Sequence, residues 1–154
     1  MKPFAILLFL GAVLGACSSS PRPSERRSLP VVFKHTRDFM WEQIQEELKE
    51  HWYIAEADEA KGVVTTEWDV QLAPMGRQGR RFRIRVFLEG KDGEGYTVLA
   101  EEEAEENTND KNPLSSAEAE WKPTATEGAK ADQFLIGLAR RLRPRMKWKE
   151  EMIR

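Results

Sequence analysis

Two neighbouring stretches decide the architecture: Arg81-Phe82-Arg83-Ile84-Arg85-Val86-Phe87-Leu88, and Tyr96-Thr97-Val98-Leu99-Ala100 running on into Glu101-Glu102-Glu103-Ala104-Glu105-Glu106. The first alternates polar and apolar side chains, the period of a strand with one face in a core and one in water. Phe82, Ile84, Val86 and Leu88 then point inward, and Arg81, Arg83 and Arg85 outward. Gly90, Gly93 and Gly95 bracket a turn between the two stretches. With residues 91–95 as the loop, Gly90 faces Tyr96, Leu88 faces Val98 and Val86 faces Ala100 on the inner side. Outside, Arg85 meets Glu101, Arg83 meets Glu103 and Arg81 meets Glu105. The same parity drives Glu102 inward against Ile84, a defect at which the strand is expected to fray, bulge or leave the core.

The flanking segments add the rest of the domain. Val31-Val32-Phe33 suits a first strand. Thr36 is placed to cap a helix from about Arg37 to His51, with Trp41, Ile44 and Leu48 at helical spacing and Glu42, Glu46, Glu47 and Glu50 on other faces. Trp52 to Ala57 reads as a strand, and Gly62 closes a turn before an alternating run. In that run Val64, Thr66, Trp68, Val70 and Leu72 share one face, so Trp68 is expected in the core, where its loss would cost about 3–5 kcal/mol. The chain is polar from Asn107 to about Gly128. Ala131, Phe134, Leu135, Leu138 and Leu142 then recur at helical spacing in a helix that starts near Ala129 and stops before Pro144. The fold class is therefore α+β, an antiparallel sheet of about five strands packed against two helices as a two-layer sandwich.

The whole chain has 154 residues, with 24 Lys+Arg against 26 Asp+Glu, enough for one modest domain. The net charge of −2 argues against nucleic acid as a partner, since phosphate neutralisation needs a strong basic excess. The single Cys supports neither an internal disulfide nor a multi-cysteine metal site. Phe4 to Leu14 is an eleven-residue apolar run behind one lysine. Spanning a bilayer takes about 20 apolar residues, so this run has the size of a signal-peptide core instead. Leu14-Gly15-Ala16-Cys17 follows, and it resembles the lipobox of bacterial lipoproteins. That resemblance implies residues 1–16 as a cleaved signal peptide and Cys17 as the lipidation site. Each buried CH₂ contributes about 0.8 kcal/mol, so two or three acyl chains hold a protein on a membrane. Ser18, where the family's inner-membrane signal places Asp, implies the outer membrane, with the domain in the periplasm. Residues 17–30, rich in Ser, Pro and Arg, read as a disordered tether. Residues 31–154 form the single domain.

The element order matches the helix-grip fold, a curved antiparallel sheet around a long C-terminal helix. Several motifs resemble the C-subunit lipoprotein of the outer-membrane β-barrel assembly machinery. They are Phe39 and Trp41 early in the first helix, Gly62-Val-Val-Thr-Thr-Glu-Trp68 as a strand, and Trp121-Lys-Pro123 ahead of Leu138-Ala-Arg-Arg-Leu142. The family has two such domains and a long docking segment; this chain has one domain and a short tether. The resemblance thus implies fold and compartment, with an envelope protein as partner, and no docking residues carry over.

Recognisable catalytic chemistry is sparse. His35 and His51 lie sixteen residues apart and lack the i,i+4 spacing of a helical ligand pair; His51 reads as a helix-end residue. There is no phosphate loop, nucleophile elbow or zinc-protease helix motif, and the acidic run lacks the glycine turn of a calcium loop. The expectation is no catalytic residue, no metal and no cofactor. One segment stands out: Arg140, Arg141, Arg143, Arg145, Lys147 and Lys149 with Trp148 among them, a candidate membrane or partner patch. Cations closing a helix against its dipole are the simpler account of it. Two functions remain: a non-enzymatic accessory module of the cell envelope, in outer-membrane protein assembly, or a carrier holding a lipid or other apolar ligand between sheet and helix. A carrier needs roughly 300 Å³ or more of cavity. Five Trp, about four of them expected inside, favour a filled interior.

Overall fold

The computed structural model describes residues 24–73, 78–109 and 111–142. The elements are β1 (Arg27–Ser28), α1 (Arg37–Lys49), β2 (Ile54–Asp58), β3 (Val63–Thr66), β4 (Asp69–Gln71), β5 (Arg80–Lys91), β6 (Gly95–Asn107), β7 (Trp121–Thr124) and α2 (Ala129–Leu142). Among the described residues all strand pairs are antiparallel, in one seven-stranded sheet ordered β1-β6-β5-β3-β2, with β4 on β5 and β7 on β6. The sheet has two strands more than the sequence suggested. β5 and β6 are 12 and 13 residues long, and each outruns its short neighbours. β3 and β4 therefore share one side of β5 end to end, and β1 and β7 share one side of β6.

The β5–β6 register matches the alternation argument pair for pair, from Arg80 opposite Glu106 to Gly90 opposite Tyr96. Lys91 also pairs with Gly95, which shortens the loop to residues 92–94. Gly90 and Gly95 both have positive φ, and a Cβ at Gly90 would strike the Gly95 carbonyl, so the turn requires glycine there. Ile84, Val86, Leu88, Val98 and Ala100 are buried under both helices, against Met40, Ile44 and Leu48 of α1 and Phe134, Leu135 and Leu138 of α2. α1 and α2 lie within two residues of their expected bounds. The Thr36 side chain, however, makes no capping hydrogen bond.

Three expectations are corrected. Val31–Phe33 is not a strand; only Phe33 bridges Tyr96, and the pairing segment is Arg27–Ser28 against Ala100 and Leu99. The part of the expected tether from Ser24 to Pro30 is thus ordered on the domain, with Leu29 in the core. Its arginines hold it there. Arg27 pairs with Asp132 and the Glu127 carbonyl, and Arg26 lies 4.0 Å from the Phe87 ring centre.

The second correction is the run 64–72, which is not one strand. Thr65 faces Arg85, yet Asp69 faces Phe82, so one extra residue is inserted between β3 and β4. Beyond that bulge the parity reverses. Val70 is opposite Arg81 on the outer face and 44% exposed, and Trp68 stacks on the outward Arg81 and Arg83 rather than entering the core. The Thr66 hydroxyl accepts the Ile84 N–H at 2.9 Å and so satisfies the ladder at the break.

The third is the tryptophans. Among the four described tryptophans, only Trp41 is buried, at 7% exposure; Trp52 packs at the core margin, and Trp68 and Trp121 lie outside around Arg81. Leu, Ile, Val and Phe fill the interior instead.

Candidate functional surface

Cys17, Arg143, Arg145, Lys147, Trp148 and Lys149 lie outside the described residues. Of the proposed patch, Arg140 and Arg141 are described, and they have different roles. Arg140 is exposed on α2. Arg141 is turned onto α1: its Nε donates to Glu47 at 3.0 Å, and its two terminal nitrogens reach Glu46 and Glu50. The Glu47 hydrogen bond, with Glu50 and Glu46 adding charge, raises the Arg141 pKa and keeps it a cation. Arg141 therefore clamps the two helices and is withdrawn from any external patch.

Glu47 is the centre of that clamp. It is 4% exposed, and α2 passes close enough that a Cβ at Gly137 would overlap its carboxylate. Glu47, Glu50 and His51 offer ligand atoms within 4.8 Å of one another. Arg141 already supplies the positive charge to two of the three, so a metal ion there would have to displace a guanidinium held by three carboxylates. A surface groove of about 560 Å³ runs beside them, lined by Glu47, His51, Asp132, Gln133, Ile136 and Arg140. It lies between the end of α1 and α2, whereas fully buried side chains such as Ile84, Val86, Phe134 and Leu138 pack between sheet and helices.

A second buried carboxylate sits where the sequence suggested a defect. Glu102 faces Ile84 with no break in pairing and is 4% exposed. Its Oε2 accepts the backbone N–H of Lys130 at 2.7 Å, and its other oxygen accepts the Thr126 hydroxyl. Thr126 in turn accepts the Gly128 N–H at 3.1 Å. Glu102 thus caps α2 from the sheet, serving one of the donors that a helix leaves unpaired in its first turn and placing negative charge at its positive end. The strand does not need to fray because the helix start satisfies the acid.

The outer sheet face carries the ordered charge pattern. Arg81 pairs with Glu105 at 2.5 Å and Arg83 with Glu103 at 2.5 Å. Arg85 departs from the direct pairing: it reaches diagonally to Glu103 at 3.0 Å, and Glu101 is met by Arg26 at 3.7 Å and by Ser24. The Arg81 guanidinium lies 4.4 Å from the Trp68 ring centre and 4.8 Å from that of Trp121. One stripe of Val63, Phe87 and Leu99 crosses this face farther along. Glu103 and Glu105 are thus paired with arginines of β5, and Glu101 with Arg26.

No family model and no curated protein matches the chain. No helix among the described residues is long and apolar enough to cross a membrane.

Proposed function

We propose that the protein is a lipid-anchored, non-enzymatic interaction module of the bacterial cell envelope, held at the outer membrane through Cys17 with its domain in the periplasm. The observation that carries this reading is the chain's only cysteine standing directly after Leu14-Gly15-Ala16 at the end of an apolar run. The position of the domain supports it. Arg27 is already paired with the sheet, ten residues after Cys17, and an extended chain of that length spans at most about 34 Å. Acyl chains on Cys17 would hold the outer sheet face close to the bilayer, because Ser24 and Arg26 lie on that face at Glu101.

The resemblance to the barrel-assembly lipoprotein, with its helix-grip fold, points to outer-membrane protein assembly as the setting and to an envelope protein as the partner. An interaction role fits the architecture better than a carrier role, since closely packed side chains occupy the layer between sheet and helices. Affinity purification of the lipidated protein from native membranes, with mass spectrometry of what accompanies it, tests the proposal. Recovery of barrel-assembly subunits is the expected result. Recovery of stoichiometric lipid with no protein would replace this reading with the carrier.

A further inference from the structure

β1 is the shortest strand among the described residues. It pairs only with Ala100 and Leu99 of β6 and stands at the end of the strand order, so lifting it off breaks no other described strand pairing. The segment around it, Ser24 to Pro30, is held mainly by charge. Arg27 lies across Gly128, where a Cβ would strike its Nε, and reaches Asp132 and the Glu127 carbonyl at the start of α2. Arg26 sits 4.0 Å from the Phe87 ring centre, with Glu89 at 3.9 Å and Glu101 at 3.7 Å, and Ser24 donates to Glu101. Leu29 is the one residue of the segment in the core.

A firm point follows. Phe33 is fully buried and exchanges both backbone hydrogen bonds with Tyr96, at 2.8 and 2.9 Å. An opening that begins at Ser24 therefore stops at Phe33. The Arg27 and Asp132 side chains are 31% and 23% exposed, and Arg26 is 52% exposed, so salt reaches these pairs and weakens them. Segments with few buried apolar contacts are the ones that open while the rest of a fold stays closed.

We propose that Ser24–Pro30 is a detachable strap, latched by Arg27 on Asp132 and hinged at Phe33, that opens while the rest of the domain stays folded. Its consequence for reach rests on the anchor at Cys17 proposed above. With the strap closed, Ser24 is the first held residue, seven positions after Cys17, and the intervening chain spans at most about 24 Å. With it open, the first held residue is Phe33, sixteen positions after Cys17, and the limit rises to about 54 Å. The closed strap keeps the outer sheet face beside the bilayer. The open strap frees the domain to move away and bares the Leu99–Ala100 edge of β6.

Hydrogen exchange with mass spectrometry tests it on the full mature protein in detergent micelles, at low and high sodium chloride. Relative to unfolded-chain rates, the peptide covering residues 24–32 should exchange at least about a hundredfold faster than peptides from β5 and β6. High salt should speed it about threefold more and leave β5 and β6 unchanged. Arg27→Met keeps the stem of the side chain and removes its charge; it should speed the strap roughly tenfold and cancel most of the salt response. Asp132→Asn should act in the same direction, and the double variant should be no faster than the faster single one. A strap that exchanges in step with β5 and β6, or that ignores both salt and Arg27→Met, would overturn the proposal. The intact mass of the same sample separates the two readings. A salt-sensitive strap on a chain without lipid would support the latch and overturn its consequence for reach; a rigid strap on a lipidated chain would overturn the latch alone.

Discussion

Glu102 and Glu47 each bury a carboxylate to fasten a helix, one at the start of α2 and one between α2 and α1. Removing a buried acceptor strands its donors, so Glu102→Ala should cost about 1–3 kcal/mol in urea denaturation. Glu103→Ala, next in the chain but on the outer ladder, should cost no more than about 1 kcal/mol. Gly137→Ala sets two effects against each other. Alanine favours a helix by about 1 kcal/mol over glycine, but its Cβ would collide with a Glu47 carboxylate that Arg141 holds in place. The substitution should therefore destabilise the wild type and stabilise a Glu47→Ala background, a reversal of sign that thermal melting of four proteins reads directly. Pattern alone gave neither glutamate its role. Parity marked Glu102 as inward, but its partners, Thr126 and Lys130, lie in a segment with no periodic signal. Glu47 is one of several acids on α1, and the arginine that selects it is 94 residues away.

At the level of elements, the register of the β5–β6 hairpin was legible, though not its tighter turn or the diagonal reach of Arg85, because its information is local: strict alternation, a short glycine turn and opposite charges across the strands. α1 and α2 were legible from apolar spacing. The bulge between β3 and β4 was not, because one inserted residue leaves the alternation of 64–72 intact while reversing which face it serves. Trp68 is the residue most affected. On the outer face, stacked by two arginines, its replacement by Ala should cost about 1–2 kcal/mol, against about 2–5 kcal/mol for Ile84→Ala in the core. Equal shifts in the denaturation midpoint would return Trp68 to the interior. The Arg83–Glu103 pair should give a coupling of about 0.2–1 kcal/mol in a double-mutant cycle, shrinking as salt is raised. The ladder's contribution is to register and to the solubility of an uncovered sheet face more than to stability.

For the molecule as a whole, the α+β architecture was legible from periodicity, while the surface chemistry depended on folding. Arg141 looked like part of a basic patch because six cations crowd ten residues of sequence; three-dimensional placement turned it inward to α1. The tether looked disordered through Pro30 because composition does not show that Arg27 has Asp132 waiting for it. On the proposed anchoring through Cys17, the docking of Ser24 and Arg26 at Glu101 would keep the outer sheet face near the membrane. Cys17→Ser should move the protein from the membrane to the soluble fraction and leave the domain's thermal unfolding unchanged, as the cysteine lies ten residues before the first strand. The most direct test of the anchor is the intact mass of the protein extracted from membranes of the native host. A chain beginning at Cys17 and carrying the added mass of a diacylglyceryl thioether, with or without an amide-linked acyl chain, is the result the account predicts. A chain that keeps Met1, or that carries Cys17 as a free thiol, would contradict it.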